Sequence, residues 1–478
     1  MEGRMLLDAA LKRHESAPLW TRAGPRVHLV GIAGAGMRSL ADVLEAAGWQ
    51  VSGSDLCDEP LARPAFEVWQ GHDAERIDAG IELVVYSDAV PKTNLELARA
   101  RQLGVRTLSY AQMLGELMQS RSGVAVAGTH GKSTTTAMAA EIVTGAGFDP
   151  TVVVGGAAIG GHSGGRHGRS RWMLVEACEY RANFRHMRPE MAAILNIEPD
   201  HFDCFPSTTD LEEAFAAFAR QVPREGLVLA RAECAATRRA VAGLDCTREL
   251  FGLTSGATWQ ATALRQRRGY YSFQIRCRGR LLCDVKLAVA GLHNVLNALA
   301  AAALASHCGA TALDIRAGLE RFAGLKRRLQ LLGEVREIAL VDDYAHHPTE
   351  VAATLTTLRQ MYPGRRLWCV FQPHQASRLA RLLDDLAHSL QNADKFVVAD
   401  IYRAREDGPE GGVTARDLCA AAARLGGEGV YLAKAAEIHD HLKNALRAGD
   451  VLVTMGAGDI GTVAHELGKR LRTFRKTG

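Results

Sequence analysis

The stretch VAVAGTHGKSTTT, Val124 to Thr136, decides the fold of the middle of this chain. An apolar strand-like run breaks at Gly128, and a helix start containing Lys132 and Ser133 follows. Glycines let backbone N–H groups close around phosphate oxygens, and the helix N-terminus adds partial positive charge. Lys132 can neutralise the β- and γ-phosphates while Ser133 holds Mg²⁺. We therefore predict a nucleoside triphosphate site. Its residues are Gly128, Thr129, His130, Gly131, Lys132, Ser133 and Thr134.

Length and composition frame this site. At roughly 150 residues per domain, 478 residues suggest about three domains. The formal charge of +4 is small, and its Lys and Arg are spread along the chain, so no nucleic-acid partner is expected. No apolar run is long enough to span a membrane. The ten cysteines lie singly, and residues 1–16 lack an apolar leader, so we expect a reduced, cytoplasmic protein.

Short apolar runs alternate with helical patterns, which is typical of βαβ units and largely parallel sheets. The predicted fold class is α/β with three domains. A Rossmann-like domain spans residues 1–120, and a P-loop ATPase-type domain spans 121–328. The latter carries extra antiparallel strands between about 258 and 287. A second Rossmann-like, doubly wound domain spans 329–478.

The first block contains a glycine-rich turn after a strand, with Gly31, Gly34 and Gly36, and Asp55 follows the next strand. An NAD-binding turn has the spacing G-x-G-x-x-G, whereas this one reads G-x-x-G-x-G. The turn thus favours a diphosphate ligand, and an NAD-dependent oxidoreductase stays as an alternative from a different class. The glycines can also serve only close strand-to-helix packing.

Acidic strand ends in the second block can complete the triphosphate site. Glu176 ends an apolar strand, where a carboxylate reaches Mg²⁺ held by the nucleotide. His201 follows the next strand, but Mg²⁺ prefers oxygen ligands, so a structural role is equally open. Asn294 and Asn297 share one helical face, where two carboxamides can read an adenine edge or form a polar packing seam.

Over essentially its whole length the chain resembles the Mur ligases of peptidoglycan synthesis. The resemblance rests on motifs in a fixed order: HLVGIAGAGM, SGSD, GTHGKSTTT, VEACEY, NIEPDH, GLHNVLNALAA, KRRLQLLGE, DDYAHHPTE, FQPH, DIYRARE and GAGDIG. It implies three α/β domains: one for a UDP-sugar, one for ATP, and one that closes over ATP and brings in an amino acid.

The resemblance also implies roles for individual residues. Lys132, Glu176 and His201 are expected to act in catalysis, the last two with Ser133 as magnesium ligands. His346 and His347 are expected to assist at the amine. The resemblance implies further ATP-binding residues: Asn294, Asn297, Arg328 and Asp343. For the substrates it implies Gly34, Ala35, Gly36, Met37, Asp55, Ser87, Tyr344 and Arg378.

The activity implied is ATP-dependent ligation of L-alanine to the lactyl carboxylate of UDP-N-acetylmuramate through an acyl phosphate. ATP and Mg²⁺ are the expected cofactors, and a monomer or weak homodimer is expected. The nearest alternative is a recycling ligase that joins a whole tripeptide to the same UDP-sugar. A non-catalytic, ATP-regulated binding protein is a further one.

The chain departs from the family pattern at three places near the expected site. Cys178 and Tyr180 replace polar residues after Glu176, and Gln375 stands where an arginine is common. We therefore expect the amino-acid carboxylate to depend more on Arg378.

Overall fold

The computed structural model describes residues 24–57, 66–160, 164–404 and 412–473. Within these ranges the chain forms three separate β-sheets. Residues 1–23, which include the N-terminal segment predicted to lack an apolar leader, lie outside the described residues, as does the predicted C-terminal boundary at 478. No helix among the described residues is long and apolar enough to cross a membrane.

The N-terminal sheet has five strands in the order β3-β2-β1-β4-β5, and every pair is parallel. The strands are β1 (Arg26–Val30), β2 (Gln50–Asp55), β3 (Glu67–Gln70), β4 (Leu83–Tyr86) and β5 (Arg106–Ser109). The helices are α1 (Ala35–Ala46), α2 (Leu95–Gln102) and α3 (Tyr110–Gln119), with a 3₁₀ turn at Ala74–Arg76. The order with β1 in the middle is that of the first five strands of a Rossmann sheet, which agrees with the predicted Rossmann-like domain.

The central sheet has ten strands in the order β15-β14-β13-β12-β11-β10-β6-β9-β7-β8. Its strands are β6 (Ser122–Ala127), β7 (Thr151–Val153), β8 (Gly165–Arg166), β9 (Trp172–Glu176), β10 (Met191–Ile194), β11 (Leu227–Arg231), β12 (Thr247–Gly252), β13 (Trp259–Arg267), β14 (Tyr270–Cys277) and β15 (Arg280–Lys286). Its helices are α4 (Lys132–Gly145), α5 (Thr208–Ala219), α6 (Ala235–Ala240), α7 (Leu292–His307) and α8 (Ala312–Arg321), with a 3₁₀ segment at Tyr180–His186. Strands β13 to β15 pair antiparallel, which confirms the predicted extra strands.

The C-terminal sheet has the order β16-β17-β21-β18-β19-β20, with only β16 antiparallel. Its strands are β16 (Gln330–Val335), β17 (Ile338–Asp343), β18 (Leu367–Phe371), β19 (Lys395–Val398), β20 (Gly429–Tyr431) and β21 (Val451–Met455). Its helices are α9 (Pro348–Met361), α10 (Ala376–Leu390), α11 (Ala415–Arg424), α12 (Ala435–Ala445) and α13 (Gly461–Thr473). Apolar clusters cover both faces of this sheet, as a doubly wound domain requires.

Small residues place the P-loop helix against its neighbours. The alanine-rich α7 packs beside α4, and Ala298 to Ala305 are fully buried. A Cβ on Gly318 of α8 would lie 2.7 Å from the Cα of Ile142 in α4. Only glycine permits this approach, so α4 is fixed from two sides and its N-terminus has a defined position.

Polar contacts join the three units. Ser39 of α1 donates to the carbonyl of Val154 at 2.6 Å, and Asn183 donates to Asp88 at 2.6 Å. Both contacts join the N-terminal unit to the central one. Buried Arg378 of α10 lies 2.6 Å from Asp200, which follows β10 in the central unit. In each of these contacts one partner lies after the carboxyl end of a strand: Val154 after β7, Asp88 after β4 and Asp200 after β10.

Candidate active site

The loop Gly128–Gly131 between β6 and α4 has the conformation that the sequence predicts. Gly128 has φ 142° and Gly131 has φ 85°, and both values favour glycine. A Cβ on Gly131 would also lie 2.5 Å from Oδ1 of Asn297. The Asn196 side chain accepts from the His130 N–H at 2.7 Å and donates to its carbonyl at 3.1 Å. The loop is thereby held to the end of β10.

Lys132 at the start of α4 lies against an acid that sequence reasoning left out of the site. Its Nζ is 2.9 and 3.0 Å from the two carboxylate oxygens of Glu179 and donates to the carbonyls of Gly128 and Thr129. Burial opposes both charges, yet Glu179 raises the pKa of Lys132 and Lys132 lowers the pKa of Glu179. The pair is ionised in the folded protein.

Oxygen atoms that can ligate a metal ion lie together beside the Lys132–Glu179 pair. Ser133 donates to Oε2 of Glu176 at 2.8 Å, and the N–H of Gly155 donates to the other carboxylate oxygen. A hydroxyl and a carboxylate at a helix N-terminus are the donors that Mg²⁺ prefers beside a triphosphate. The residues present thus fit the implied magnesium ion.

His201 joins the same group from the end of β10. Its Nε2 lies 3.3 Å from Glu179, and the Tyr180 ring packs edge-on against the imidazole at 5.2 Å. His201 has φ 52°, a left-handed conformation that is uncommon outside glycine. The structure brings Lys132, Ser133, Glu176 and His201 together, and Glu179 bridges two of them.

A cavity of about 370 Å³ lies beside the P-loop. Seven of the residues predicted for ATP line it: His130, Gly131, Thr134, Asn294, Asn297, Arg328 and Asp343. Apolar side chains such as Phe251 and Phe322 line the rest. Asn294 donates to the carbonyl of Ala290, just before α7, at 2.7 Å and accepts from Asn297 at 3.1 Å, so part of this pair's hydrogen-bonding capacity is already used within the protein.

Asp343 ends β17 at the wall of this cavity. It accepts from Thr354 at 2.7 Å and from the Ala345 N–H at 3.1 Å. Burial raises the pKa of Asp343 to about 6, against the lowering effect of Thr354. The guanidinium of Arg328 lies 4.9 Å from the centre of the Tyr344 ring, which places Tyr344 at the same edge.

The first glycine turn is shaped by its contacts. Gly34 is the N-cap of α1, whose first residues are Ala35, Gly36 and the buried Met37, and a Cβ on Gly36 would lie 2.8 Å from the Tyr110 hydroxyl. The Asp55 carboxylate accepts from the N–H groups of Ala33 at 2.8 Å and Cys57 at 3.0 Å. Ser87 accepts from the Ala89 N–H at 3.3 Å. Asp55, at the carboxyl end of β2, therefore holds the glycine turn in place through the Ala33 N–H.

The residues predicted for the amino acid meet where the central and C-terminal units touch. Arg378 pairs with Asp200 and also donates to Nδ1 of His374 at 2.9 Å. His346 lies 5.5 Å from His374, ring to ring, and its Nδ1 is 2.9 Å from the carbonyl of Tyr344. Burial lowers the pKa of His346 to about 4, so this imidazole is neutral at pH 7.

His347 belongs to a different group. It is the N-cap of α9, and its Nδ1 accepts from the Thr349 N–H at 3.3 Å. Its Nε2 lies 3.2 Å from the carbonyl of Pro199. The ring of His130 in the P-loop lies 4.6 Å from the His347 ring, centre to centre, with the planes tilted by 50°, and His130 lies between Glu198 and Glu350. The two neighbouring histidines of DDYAHHPTE thus have different partners.

Sequence reasoning missed several members of these groups. Glu179 and Asp200 lie inside the motifs VEACEY and NIEPDH, so their signal was present as acids beside Glu176 and His201. Glu198, Glu350 and His374 lie inside NIEPDH, DDYAHHPTE and FQPH as well, but their roles depend on which loops meet. Tyr110 is likewise visible only in space, since it lies against Gly36.

Comparison with known proteins gives consecutive family matches. The Mur ligase family catalytic domain matches residues 26–122, the Mur ligase middle domain matches 126–305, and the Mur ligase glutamate ligase domain matches 327–458. A UDP-N-acetylmuramate--L-alanine ligase of Acetivibrio thermocellus is 39% identical over 92% of this chain and 94% of its own length. This chain belongs to the Mur ligase family. The Clostridium acetobutylicum protein of the same name is 37% identical over 91% of this chain and 95% of its own.

Solved Mur ligases share the fold. A UDP-N-acetylmuramate-alanine ligase of Thermotoga maritima superposes with a TM-score of 0.80 at 26% identity, covering 94% of this chain and 99% of its own. A murein peptide ligase of Psychrobacter arcticus has a TM-score of 0.72 at 28% identity over the same shares. These likenesses confirm the predicted three-domain α/β fold of a Mur ligase.

Proposed function

We propose that this protein ligates L-alanine to the lactyl carboxylate of UDP-N-acetylmuramate with hydrolysis of ATP, in peptidoglycan precursor synthesis. One observation carries the proposal. The curated relatives named UDP-N-acetylmuramate--L-alanine ligase align with more than nine tenths of this chain at 37–39% identity. The P-loop group and the cavity beside it support the same reading, since each of its residue types suits triphosphate chemistry.

We assign ATP to the cavity beside the P-loop, with its phosphates at Gly128–Thr134 and its base near Asn294 and Asn297. When ATP binds, the Lys132 ammonium would move from the Glu179 carboxylate to the phosphates, because both groups are anions and both would lie within its reach. Ser133, Glu176 and His201 are proposed to hold magnesium. When bound, Mg²⁺ spreads the charge that develops on the transferred phosphoryl group.

The proposed chemistry has two steps. A lactyl carboxylate oxygen attacks the γ-phosphorus, and ADP leaves. The neutral amine of alanine then attacks the acyl carbon, the C–O bond to phosphate breaks, and phosphate leaves with the amine proton as the amide forms. Lys132 would stabilise charge in the first step, while closure between Asp200 and Arg378 excludes water that would hydrolyse the acyl phosphate.

His346 has the geometry of a group that positions the amine. Its Nδ1–H donates to the carbonyl of Tyr344, so Nε2 is left as an acceptor. A base with a pKa of about 4 does not retain a proton at pH 7. We therefore assign it to orienting the neutral amine through a hydrogen bond, and Arg378 to the amino-acid carboxylate. His347 stays a predicted contributor whose ring nitrogens both have protein partners.

The N-terminal turn is the proposed site of the UDP-sugar diphosphate. Gly34, Ala35, Gly36 and Met37 form the start of α1, where N–H groups and the helix dipole favour an anion. Asp55 and Ser87 would face the nucleoside. We propose the predicted ranges 1–120, 121–328 and 329–478 as the three domains.

We also propose a cytoplasmic location. All ten cysteines are free thiols, which is typical of proteins in reducing compartments. The predicted state, monomer or weak homodimer, is checked by measuring the solution mass over a range of protein concentrations.

The test of function is phosphate release with ATP, Mg²⁺ and UDP-N-acetylmuramate against L-alanine, other amino acids and an L-Ala-D-Glu-diamino-acid tripeptide. We expect release that depends on alanine and a product with the mass of the amide. A product with the tripeptide would instead support the second candidate, a murein peptide ligase, which the likeness to the Psychrobacter arcticus structure keeps open. No product with any acceptor would contradict the proposal.

A further inference from the structure

We propose that His130, Glu198 and His347 bind one divalent transition-metal ion of the Zn²⁺ type, at a site distinct from the magnesium position beside Ser133. One ligand atom from each residue lies within 4.8 Å of the other two. His130 and Glu198 belong to the central unit and His347 to the C-terminal one, so the ion would join the two units. The proposal does not depend on the substrate of the ligase.

One ring nitrogen of each histidine lies beside the Glu198 carboxylate. Nε2–H of His347 donates to the carbonyl of Pro199, so Nδ1 is the acceptor nitrogen. This Nδ1 accepts from the Thr349 N–H at 3.3 Å and lies 3.9 Å from Oε2 of Glu198, which in turn accepts from the Thr349 hydroxyl. Nδ1 of His130 lies 3.0 Å from Glu350, and its buried Nε2 has no hydrogen-bond partner. That Nε2 is 3.5 Å from the same Glu198 oxygen. The unpartnered Nε2 of His130 needs a proton or a metal ion beside Glu198, and a bound ion would replace the Thr349 N–H at Nδ1 of His347.

The hydrogen bonds behind the ligands are those that metal sites use. A ligating histidine commonly donates its other ring N–H to a carboxylate or a backbone carbonyl, which fixes the ring and raises its basicity. Here Glu350 accepts from His130 and Pro199 accepts from His347. Both partners therefore hold the rings in the orientation that a bound ion requires.

The backbone beneath the ligands is fixed too. Asn196 binds both the N–H and the carbonyl of His130. Thr129 donates to the carbonyl of Glu198 at 3.2 Å and accepts from its N–H at 2.9 Å. The first two ligands thus have a set spacing, and His347 must release the Thr349 N–H and approach them when the ion binds.

Distance and ligand type select the ion. Around a tetrahedral Zn²⁺ with bonds of about 2.0–2.2 Å, neighbouring ligand atoms lie about 3.4 Å apart. The His130–Glu198 separation of 3.5 Å matches this value. Two imidazoles with one carboxylate suit Zn²⁺ or Co²⁺, whereas Mg²⁺ prefers oxygen ligands. His130 and Glu198 both line the cavity beside the P-loop, so water from this cavity would complete the ligand set.

The test uses Co²⁺ as the probe, because tetrahedral Co²⁺ absorbs visible light strongly and octahedral Co²⁺ does so weakly. Chelator-treated full-length protein is titrated with Co²⁺ under saturating Mg²⁺, and Zn²⁺ is then added to displace it. The variants are His347→Asn, which can still cap α9, and Glu198→Gln, which keeps its shape. Glu176→Gln and His201→Asn are the matched controls at the magnesium position.

We expect one tetrahedral Co²⁺ spectrum in the unmodified protein and in both controls. His347→Asn and Glu198→Gln should each abolish it or weaken affinity at least about 100-fold. Glu350→Gln should weaken it about 10–100-fold, as loss of a ligand's hydrogen-bond partner does. No tetrahedral spectrum in the unmodified protein overturns the proposal and leaves His130 as a protonated bridge between two glutamates. A spectrum lost in a magnesium-position control, or retained in both ligand variants, overturns it as well.

Discussion

Two halves of the candidate site differ in how the chain assembles them. Lys132, Glu176 and Glu179 lie in one unit, where side-chain hydrogen bonds join the start of α4 to the end of β9 and the segment after it. Asp200 meets Arg378, and His130 meets Glu350, only across the boundary between two units. The first half is local to one unit, whereas the second exists only when the units touch.

This difference predicts different consequences for the two halves. Changes in the local half should impair phosphoryl chemistry without altering how the units meet. Changes at the boundary should alter alanine use and the stability of the closed arrangement. The four predictions below test this division, from the largest expected effect to the smallest.

Lys132→Ala should lower ATP turnover by at least about 10²–10³-fold, because the variant lacks a charge aimed at the transferring phosphoryl group. UDP-sugar binding, measured by calorimetry, should be unchanged. Lys286→Ala removes an exposed lysine of the same unit and serves as the control. Retained turnover in Lys132→Ala would remove the P-loop from the proposed mechanism.

Arg378→Ala should raise the KM for alanine about 100-fold or more. Breaking a buried ion pair and leaving Asp200 uncompensated costs about 3–5 kcal/mol. Arg378→Lys keeps the charge but not the planar geometry, so a smaller rise is expected. The KM for UDP-sugar should stay constant in both variants.

Arg424→Ala, at an exposed position of the same unit, is the control for Arg378. If Arg378→Ala changes turnover with ATP but leaves the KM for alanine unchanged, the boundary residues do not serve the amino acid, and the proposed division fails.

Glu179→Gln should lower kcat about 10–100-fold, since a hydrogen bond to a charged group contributes about 1.5–3 kcal/mol. The amide keeps the size of Glu179 but no longer holds Lys132 and His201 by charge. Steady-state kinetics with ATP varied separates kcat from KM. Glu213→Gln, on an exposed helix face, is the comparison, and equal kcat values in the two variants would contradict a positioning role.

The smallest predicted effect is a pH dependence of stability in metal-free protein. Glu350 and Glu198, against the opposing effect of burial, raise the pKa of His130 from 6.5 to about 9. Because the pKa of His130 is higher in the folded chain than in the unfolded chain, His130 contributes stability that is complete below pH 6.5 and is lost as pH rises through about 9. His130 lowers the pKa of Glu198 from 4.5 to about 2, so that contribution is present above pH 4.5 and lost as pH falls through about 2.

Thermal unfolding should therefore show a plateau in Tm between about pH 4.5 and 6.5 from this group and a fall of a few degrees by pH 9. His130→Asn should flatten the alkaline fall. An alkaline fall of the same size in the variant would assign it to groups elsewhere.

Much of the site was predictable from single motifs. GTHGKS predicted the strand, the loop glycines and the helix start because these features obey local rules of backbone geometry. The acids at strand ends followed from the rule that the carboxyl ends of parallel strands face one crevice. The contact between Ser133 and Glu176 confirms that these two motifs meet.

Other relations were outside the reach of the sequence. Nothing in the chain distinguishes His346 from His347, although one turns to Tyr344 and the other caps α9 toward Pro199. The acid that pairs with Lys132 was equally ambiguous, since Glu176 and Glu179 are both close to the strand end. Such choices depend on packing directions that sequence spacing does not encode.

By itself, the sequence determined the alternation of strands and helices, the phosphate-binding loop and the identity of the family, because these depend on periodicity, glycine positions and motif order. Only the tertiary structure decided that Glu179 holds Lys132, that Asp200 faces Arg378 and that His130 lies between two glutamates. The physical reason is that charges pair by distance and burial, and both are set by how separate units of the chain meet in space.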